Sequence, residues 1–304
     1  MVSLQIQLLG KASIHDRYRA AITIPAKAQE LFFYLLLYGG QPQEREALTA
    51  LLWADISPER AKKYLRQALW QLQSTLENNG ESNTSMFLLE GSWILLNLTP
   101  TIWLDIDRLQ RTFSQVEHVT GQSLAPKQAE NVREVIALYR GDLLTGWYQD
   151  WCLLERERYQ SMFLTLSDKF IDYCMTHQQV AQGIDYAHHL LQFDNARERT
   201  HRRLMRLYYL ADSRTAALRQ FERCRAALAE ELGVEPSNRT LDLYRQIQAD
   251  QVADLWQTSS PPQQPLATPP LSASPVLDEL KQIQSRLDAL QLDVQTIKKC
   301  YEGL

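Results

Sequence analysis

The sequence predicts a mainly α protein with a small β component: a winged helix-turn-helix, then an all-α, tetratricopeptide-like helical domain, then a C-terminal coiled-coil helix. Three observations carry this. Val2, Leu4, Ile6 and Leu8 alternate with polar residues, the period-two signature of a strand with one buried face. Nearly all of residues 101–250 has helical period, and a heptad seam follows a Pro-rich stretch near the end.

At 304 residues, with 45% apolar and 22% charged residues, the chain can build two ordinary soluble domains. Their expected bounds are 1–98 and 101–250, followed by a Pro-rich linker over 258–275 and a helix over 277–302. The net charge of −4 means that any surface for a polyanion must come from local clustering. No signal-peptide pattern opens the chain, and no run approaches the roughly 18 apolar residues of a membrane span, so no membrane partner is expected. Cys152, Cys174, Cys224 and Cys300 lie far apart without a CxxC pair, which predicts neither a disulfide framework nor a zinc site and suits a cytoplasmic setting.

Within the first domain, a second strand is expected over 20–24, after the polar stretch 11–19. Pro25 suits the first turn of a helix carrying Leu31, Phe32, Leu35 and Leu36, which Gly39 and Gly40 stop. A short helix over 45–53 buries Leu48, Leu51 and Leu52, and a longer one covers 59–76. The run 86–98 holds two apolar stretches around Glu90, Gly91 and Ser92, which is hairpin chemistry. Two strands, three helices and a closing hairpin compose the winged helix.

The long third helix carries the candidate site. At 100° per residue, Ala61, Leu65, Ala68, Leu69, Leu72 and Leu76 fall on one side. The other side presents Lys63, Gln67, Trp70 and Ser74, flanked by Arg60 and Arg66, with Lys62 near the edge. Residues 1–98 hold nine basic and nine acidic residues, yet no acid occurs between Arg60 and Leu76. An α-helix fits the major groove of double-stranded DNA, where Arg or Lys reaches guanine and Gln reaches adenine. Arg60, Lys62, Lys63, Arg66, Gln67 and Trp70 are therefore the expected DNA-binding residues. Trp70 has three readings: contact with a thymine methyl, packing on the wing, or packing on a neighbouring protomer. The hairpin tip from Glu90 to Trp93 contains no base, so it gives a phosphate-gripping wing little support.

Candidate helices of the second domain cover 127–139, 151–177, 180–193, 196–211, 215–232 and 237–249, spaced like stacked helical hairpins. Arg197, Arg199, Arg202, Arg203 and Arg206 form a second basic group on one helix; the favoured reading pairs them with acids such as Glu222, Glu230 and Glu231 rather than with DNA. Trp147, Tyr148 and Trp151 read as core anchors. His188 and His189 are adjacent rather than spaced to share a ligand, no metal or cofactor is expected, and no GxxxxGKS, GxSxG or HExxH motif appears. An enzyme is the least favoured class.

In the tail, Leu280, Leu287, Val294 and Tyr301 occupy one heptad position and Ile283, Leu290 and Ile297 the other. Leu280, Ile283, Leu287, Leu290, Val294 and Ile297 are the expected oligomerisation residues, leaning toward trimers or tetramers. The competing reading is a helix folding back on its own domain.

The segments LQIQLLG, REALTALLWAD and ERAKKYLRQALWQL in the first domain, with YRGDLLTGWYQDWCLLERERY, RLMRLYYLADSRTAALRQFERC and ELGVEPSNRTLDLYRQI in the second, resemble the bacterial antibiotic-regulatory-protein (SARP) class of transcription activators, which joins an OmpR-like winged helix to a bacterial transcriptional activator domain (BTAD). The resemblance covers about residues 1–250. It implies major-groove reading by the helix carrying Lys63 and Arg66, binding to repeated promoter sites, and recruitment of RNA polymerase. The chain departs from the family in having Gln73 where a late basic residue is common and Asp212 with Ser213 where the helical repeat usually turns on Gly-Asp. No nucleotide-hydrolysing module follows the activator domain, so regulation by nucleotide hydrolysis is not expected. The expected function is a DNA-binding transcription regulator that activates promoters; the rival is an interaction scaffold whose winged helix no longer reads DNA. A repressor is a further variant, since DNA binding alone does not set the sign of the effect.

Overall fold

The computed structural model describes residues 4–76, 86–97 and 102–251. The linker and tail, with the coiled-coil and oligomerisation expectations placed on them, lie outside the described residues. The described part is mostly helical, with its strands gathered near the N-terminus.

The opening strand forms as its alternation predicts: β1 spans Leu4–Gln7, with Leu4 and Ile6 buried and Gln5 and Gln7 half-buried. Its antiparallel partner β2 is Ser13–Asp16, inside the stretch read as a polar connector, not over 20–24 as expected. The reason is local. The Asp16 carboxylate accepts the backbone N–H groups of Tyr18 and Ala20, both at 2.8 Å, and Arg19 takes a left-handed φ of 64°, so the chain turns immediately after Asp16. Residues 20–24 are left with a single bridge, Ala21 to His15, and two backbone hydrogen bonds to β2, from Asp16 N–H to the Ala20 carbonyl and from Ile22 N–H to the Ile14 carbonyl.

Helix α1 (Ala26–Leu37), strand β3 (Gln43–Glu44), α2 (Arg45–Leu52), α3 (Pro58–Leu76) and the hairpin β4 (Phe87–Glu90) and β5 (Trp93–Leu96) follow in the expected order. Gly91 turns the hairpin at φ 56°, a conformation that carries a steric cost for residues with a Cβ. The second sheet has order β3-β5-β4 and is antiparallel throughout. Leu51 is exposed rather than inward, because the short α2 turns only Leu48, Thr49 and Leu52 onto the core.

Beyond the expected domain border, β6 (Ile102–Leu104) pairs parallel with β1 and completes the sheet β2-β1-β6. It leads into α4 (Asp105–Val116), a helix the sequence reading did not single out. Asp105 fastens this junction: it is buried, and its carboxylate accepts the N–H groups of Leu8 (2.8 and 3.0 Å), Leu9 (2.9 Å) and Ile106 (2.8 Å). Further ties cross the same place, from Leu144 N–H to the Leu8 carbonyl (2.8 Å) and from Thr145 N–H to the Gly10 carbonyl (2.9 Å). The described residues thus form one compact unit, and their buried apolar cluster extends from Leu4 to Leu207.

Burial pushes the Asp105 carboxyl up to about 6 against the opposing pull of its backbone donors. The folded chain therefore binds this proton more tightly than the unfolded chain, and the group's contribution to stability is lost as pH rises through that value. Relative to Asp105→Asn, which cannot ionise, the wild type is expected to lose stability between about pH 5 and about pH 7. Urea midpoints at both values check this, and a difference that stays flat contradicts it.

The remaining helices are α5 (Pro126–Ile136), α6 (Asp150–Thr176), α7 (Val180–Leu191), α8 (Glu198–Leu210), α9 (Arg214–Leu232) and α10 (Asn238–Gln248). Consecutive members pack on one another, as helical hairpins do. Gly121, just after α4, lies so close to α6 that an added Cβ would sit 2.4 Å from the Lys169 carbonyl oxygen. The turns after α6 and α8 place Gln178 at φ 58° and Asp212 at φ 54°. Both adopt the left-handed conformation that glycine takes at lower steric cost. Replacing either by Gly is expected to raise the unfolding free energy by about 0.5–1 kcal/mol in chemical denaturation. A loss would contradict this.

Of the three expected aromatic anchors, two join the halves: Trp147 meets Phe33 edge-on at 5.3 Å between ring centres, and Trp151 meets Tyr34 at 5.6 Å. Tyr148 is 78% exposed and anchors nothing in the core, which corrects that expectation. No helix among the described residues is long and apolar enough to cross a membrane.

Candidate nucleic-acid interface

Helix α3 begins at Pro58, whose missing N–H costs nothing in a first turn, with Glu59 beside it where a negative charge favours the helix dipole. Ala61, Leu65, Ala68, Leu69, Leu72 and Leu76 are its buried residues, matching the stripe read from the sequence. Packing of that stripe against α1 and α2 fixes the helix's rotation.

That rotation decides what faces out. Arg60, Lys62, Lys63, Arg66, Gln67 and Trp70 are all exposed. Among the described residues, no carboxylate pairs with Arg60, Lys63 or Arg66. Lys62 is different: its Nζ lies 2.9 Å from Glu46 Oε1 on α2, so its charge is partly spent within the chain. The pair is exposed and contributes little to stability.

Trp70 stands 66% exposed at the far end of the stripe that begins at Lys63. It does not bury itself against the wing, one of its three expected placements. Removing so large an apolar surface from water requires another molecule. Tyr64, which the sequence reading passed over, is also exposed on this helix.

At the wing, Leu88, Leu89 and Trp93 are exposed and the tip offers no cation. The cation near this hairpin is Arg45, also missed from the sequence. Its backbone N–H donates to the Ser92 carbonyl at the wing turn (2.8 Å), and its side chain lines a cleft of about 410 Å³ together with Glu46, Lys62, Leu65, Arg66 and Ser92. Arg45 Nε is buried without a hydrogen-bond partner. The one sequence signal for it was its place as the first residue of α2, where partial positive charge from the helix end adds to its own.

The second basic group resolves differently. Arg203, 4% exposed, grips Asp172 with Nε and one terminal nitrogen (both 2.7 Å) and Asp168 with the other (2.6 Å). Arg197 reaches Asp168 at 2.8 Å, Arg199 lies 3.6 Å from it, and Arg202 lies 3.3 Å from Glu198. The pairing reading holds for these four, but the partners are Asp168 and Asp172 on α6 and Glu198 on the same helix, not Glu222, Glu230 or Glu231. These charges tie α8 to α6 and hold the helical half together.

Comparison with known proteins agrees with this architecture. Residues 104–248 match the model of the bacterial transcriptional activator domain. Over 250 residues the chain is 22% identical to the transcriptional regulatory protein MoaR1 of Mycobacterium tuberculosis, covering 81% of this chain and 79% of that protein, and equally to MoaR1 of Mycobacterium bovis. Its fold is similar to that of EmbR from Mycobacterium tuberculosis, solved in complex with a low affinity phosphopeptide, with a TM-score of 0.64 and 18% identity over 84% of this chain and 67% of that one.

Proposed function

We propose that the chain, whose residues 104–248 match the bacterial transcriptional activator domain, is a transcriptional regulator of the SARP type that binds DNA sequence-specifically and activates promoters. In this reading Lys63, Arg66 and Gln67 on α3 contact base edges in the major groove, and Arg60, Lys62 and Arg45 contact phosphates. Trp70 packs against the DNA at the end of the same stripe. The helical half contacts RNA polymerase. The heptad residues Leu280, Ile283, Leu287, Leu290, Val294 and Ile297 join copies, so that paired or repeated sites are held with avidity. The protein acts where promoters are, in the cytoplasm, and uses no cofactor.

The observation that carries the proposal is the contrast across α3. One side is wholly buried, and the other leaves an acid-free row of cations and hydrogen-bonding side chains uncovered in a chain of net charge −4. A solvated structural helix has no need to exclude acids from 17 successive positions, Arg60 to Leu76.

Genome-wide occupancy of the tagged protein tests this. The expected result is a discrete motif occurring in repeats upstream of regulated genes. Absence of enriched sites, together with recovery of one abundant protein partner, would instead make α3 a protein-binding face.

A further inference from the structure

A second cleft, of about 560 Å³, opens between α7, α8 and α9, on residues that the DNA-binding reading does not use. Its floor is a defined hydrogen-bond chain. His201, 1% exposed, has Nε2 at 2.8 Å from the Asn195 carbonyl oxygen, which can only accept, so the ring proton sits on Nε2. Nδ1 is then an acceptor, and the Gln220 amide nitrogen donates to it at 2.7 Å. This fixes the orientation of the Gln220 amide. Its oxygen, on a side chain that is also 1% exposed and lines the cleft, has no hydrogen-bond partner. A buried acceptor left in that state costs about 1–3 kcal/mol.

The charges around this floor are few and separated. Burial holds the His201 imidazole below its ordinary range, and burial with the nearby Arg223 does the same to His188, whose Nε2 lies 2.7 Å from the Tyr208 hydroxyl. Both rings are therefore neutral near neutral pH. The charges lining the cleft are Arg223 and Glu230 on α9. They lie seven residues apart on one face, about 10 Å along the axis, with Ala226 and Ala227 leaving space between them. Gln220 is three residues before Arg223 on that face, within reach of the same bound group.

We propose that this cleft binds a zwitterion of about tripeptide length, with its carboxylate on Arg223, its ammonium on Glu230, and the N–H next to the carboxylate donating to Gln220 Oε1. An extended tripeptide spans about 10 Å, which matches the separation of the two charges. The ligand completes the buried hydrogen-bond chain that runs from Gln220 on α9 to His201 on α8.

Trialanine added to the full-length chain is the probe, followed by calorimetric titration and by thermal melting. It is expected to bind and to raise the melting temperature, and Arg223→Ala and Glu230→Ala, both at exposed positions, are each expected to weaken binding by about tenfold. Ala226→Trp, also at an exposed position, fills the cleft and is expected to abolish binding while leaving the unliganded melting temperature near that of wild type. Succinate and N-acetyl-trialanine amide, which lack the paired ends, are expected not to bind. No heat and no melting shift with trialanine on the order of 10 mM would overturn the proposal. Equal binding by the control compounds, or affinity unchanged in all three variants, would overturn it as well.

Discussion

Arg203→Ala is expected to lower the unfolding free energy by about 3–5 kcal/mol. The side chain is buried and holds both Asp168 and Asp172, so its removal leaves one buried carboxylate with Arg197 and Arg199 only and strips the other of its bidentate partner. Burial opposes the Arg203 charge, but the hydrogen bonds it donates to Asp172 and the fields of both aspartates outweigh that and hold its pKa above the ordinary arginine value. Arg199→Ala, at an exposed site 3.6 Å from the same carboxylate, is expected to cost less than about 1 kcal/mol. Urea denaturation of the two variants separates the cases. Equal, small losses would mean that the cluster contributes charge without holding α6 to α8.

The double substitution Lys63→Ala with Arg66→Ala is expected to weaken specific DNA binding by about 100-fold, since each base-reading contact is worth about 1–3 kcal/mol of discrimination. Stability should be nearly unaffected, because both side chains are exposed and no described carboxylate pairs with them. Arg45→Ala should act differently. Its loss removes a phosphate contact, so specific and non-specific binding fall together and the salt slope drops by about 0.9.

How far these residues were legible in the sequence depends on the range of the interactions that place them. The face of α3 follows from periodicity alone, and its six buried residues were read correctly from the chain. The hairpin turn at Gly91 was likewise a local signal. The misses were long-range or masked by composition. β6 is three residues of ordinary apolar sequence until β1 supplies its partner, and Asp105 meets acceptor-seeking N–H groups 96 and 97 residues away. α4 shows Ile106, Leu109, Phe113 and Val116 at helical spacing and was legible, but its polar neighbours diluted the stripe. Arg203 looked like one of five equivalent arginines, and only the packing of α6 against α8 distinguishes it. β2 was misplaced because its alternation is short and the Asp16 turn that ends it is made by one side chain.

The central claim is that the uncovered side of α3 reads DNA. Its most direct test is a salt titration of binding to the best site from genome-wide occupancy, comparing wild type with Lys63→Ala plus Arg66→Ala and using a scrambled duplex as reference. The expected result is tight, salt-dependent binding by wild type, with the double variant reduced to the affinity that both proteins show for the scrambled duplex. Equal affinity of a folded double variant and wild type for the specific site would contradict the assignment of α3 as the reading helix.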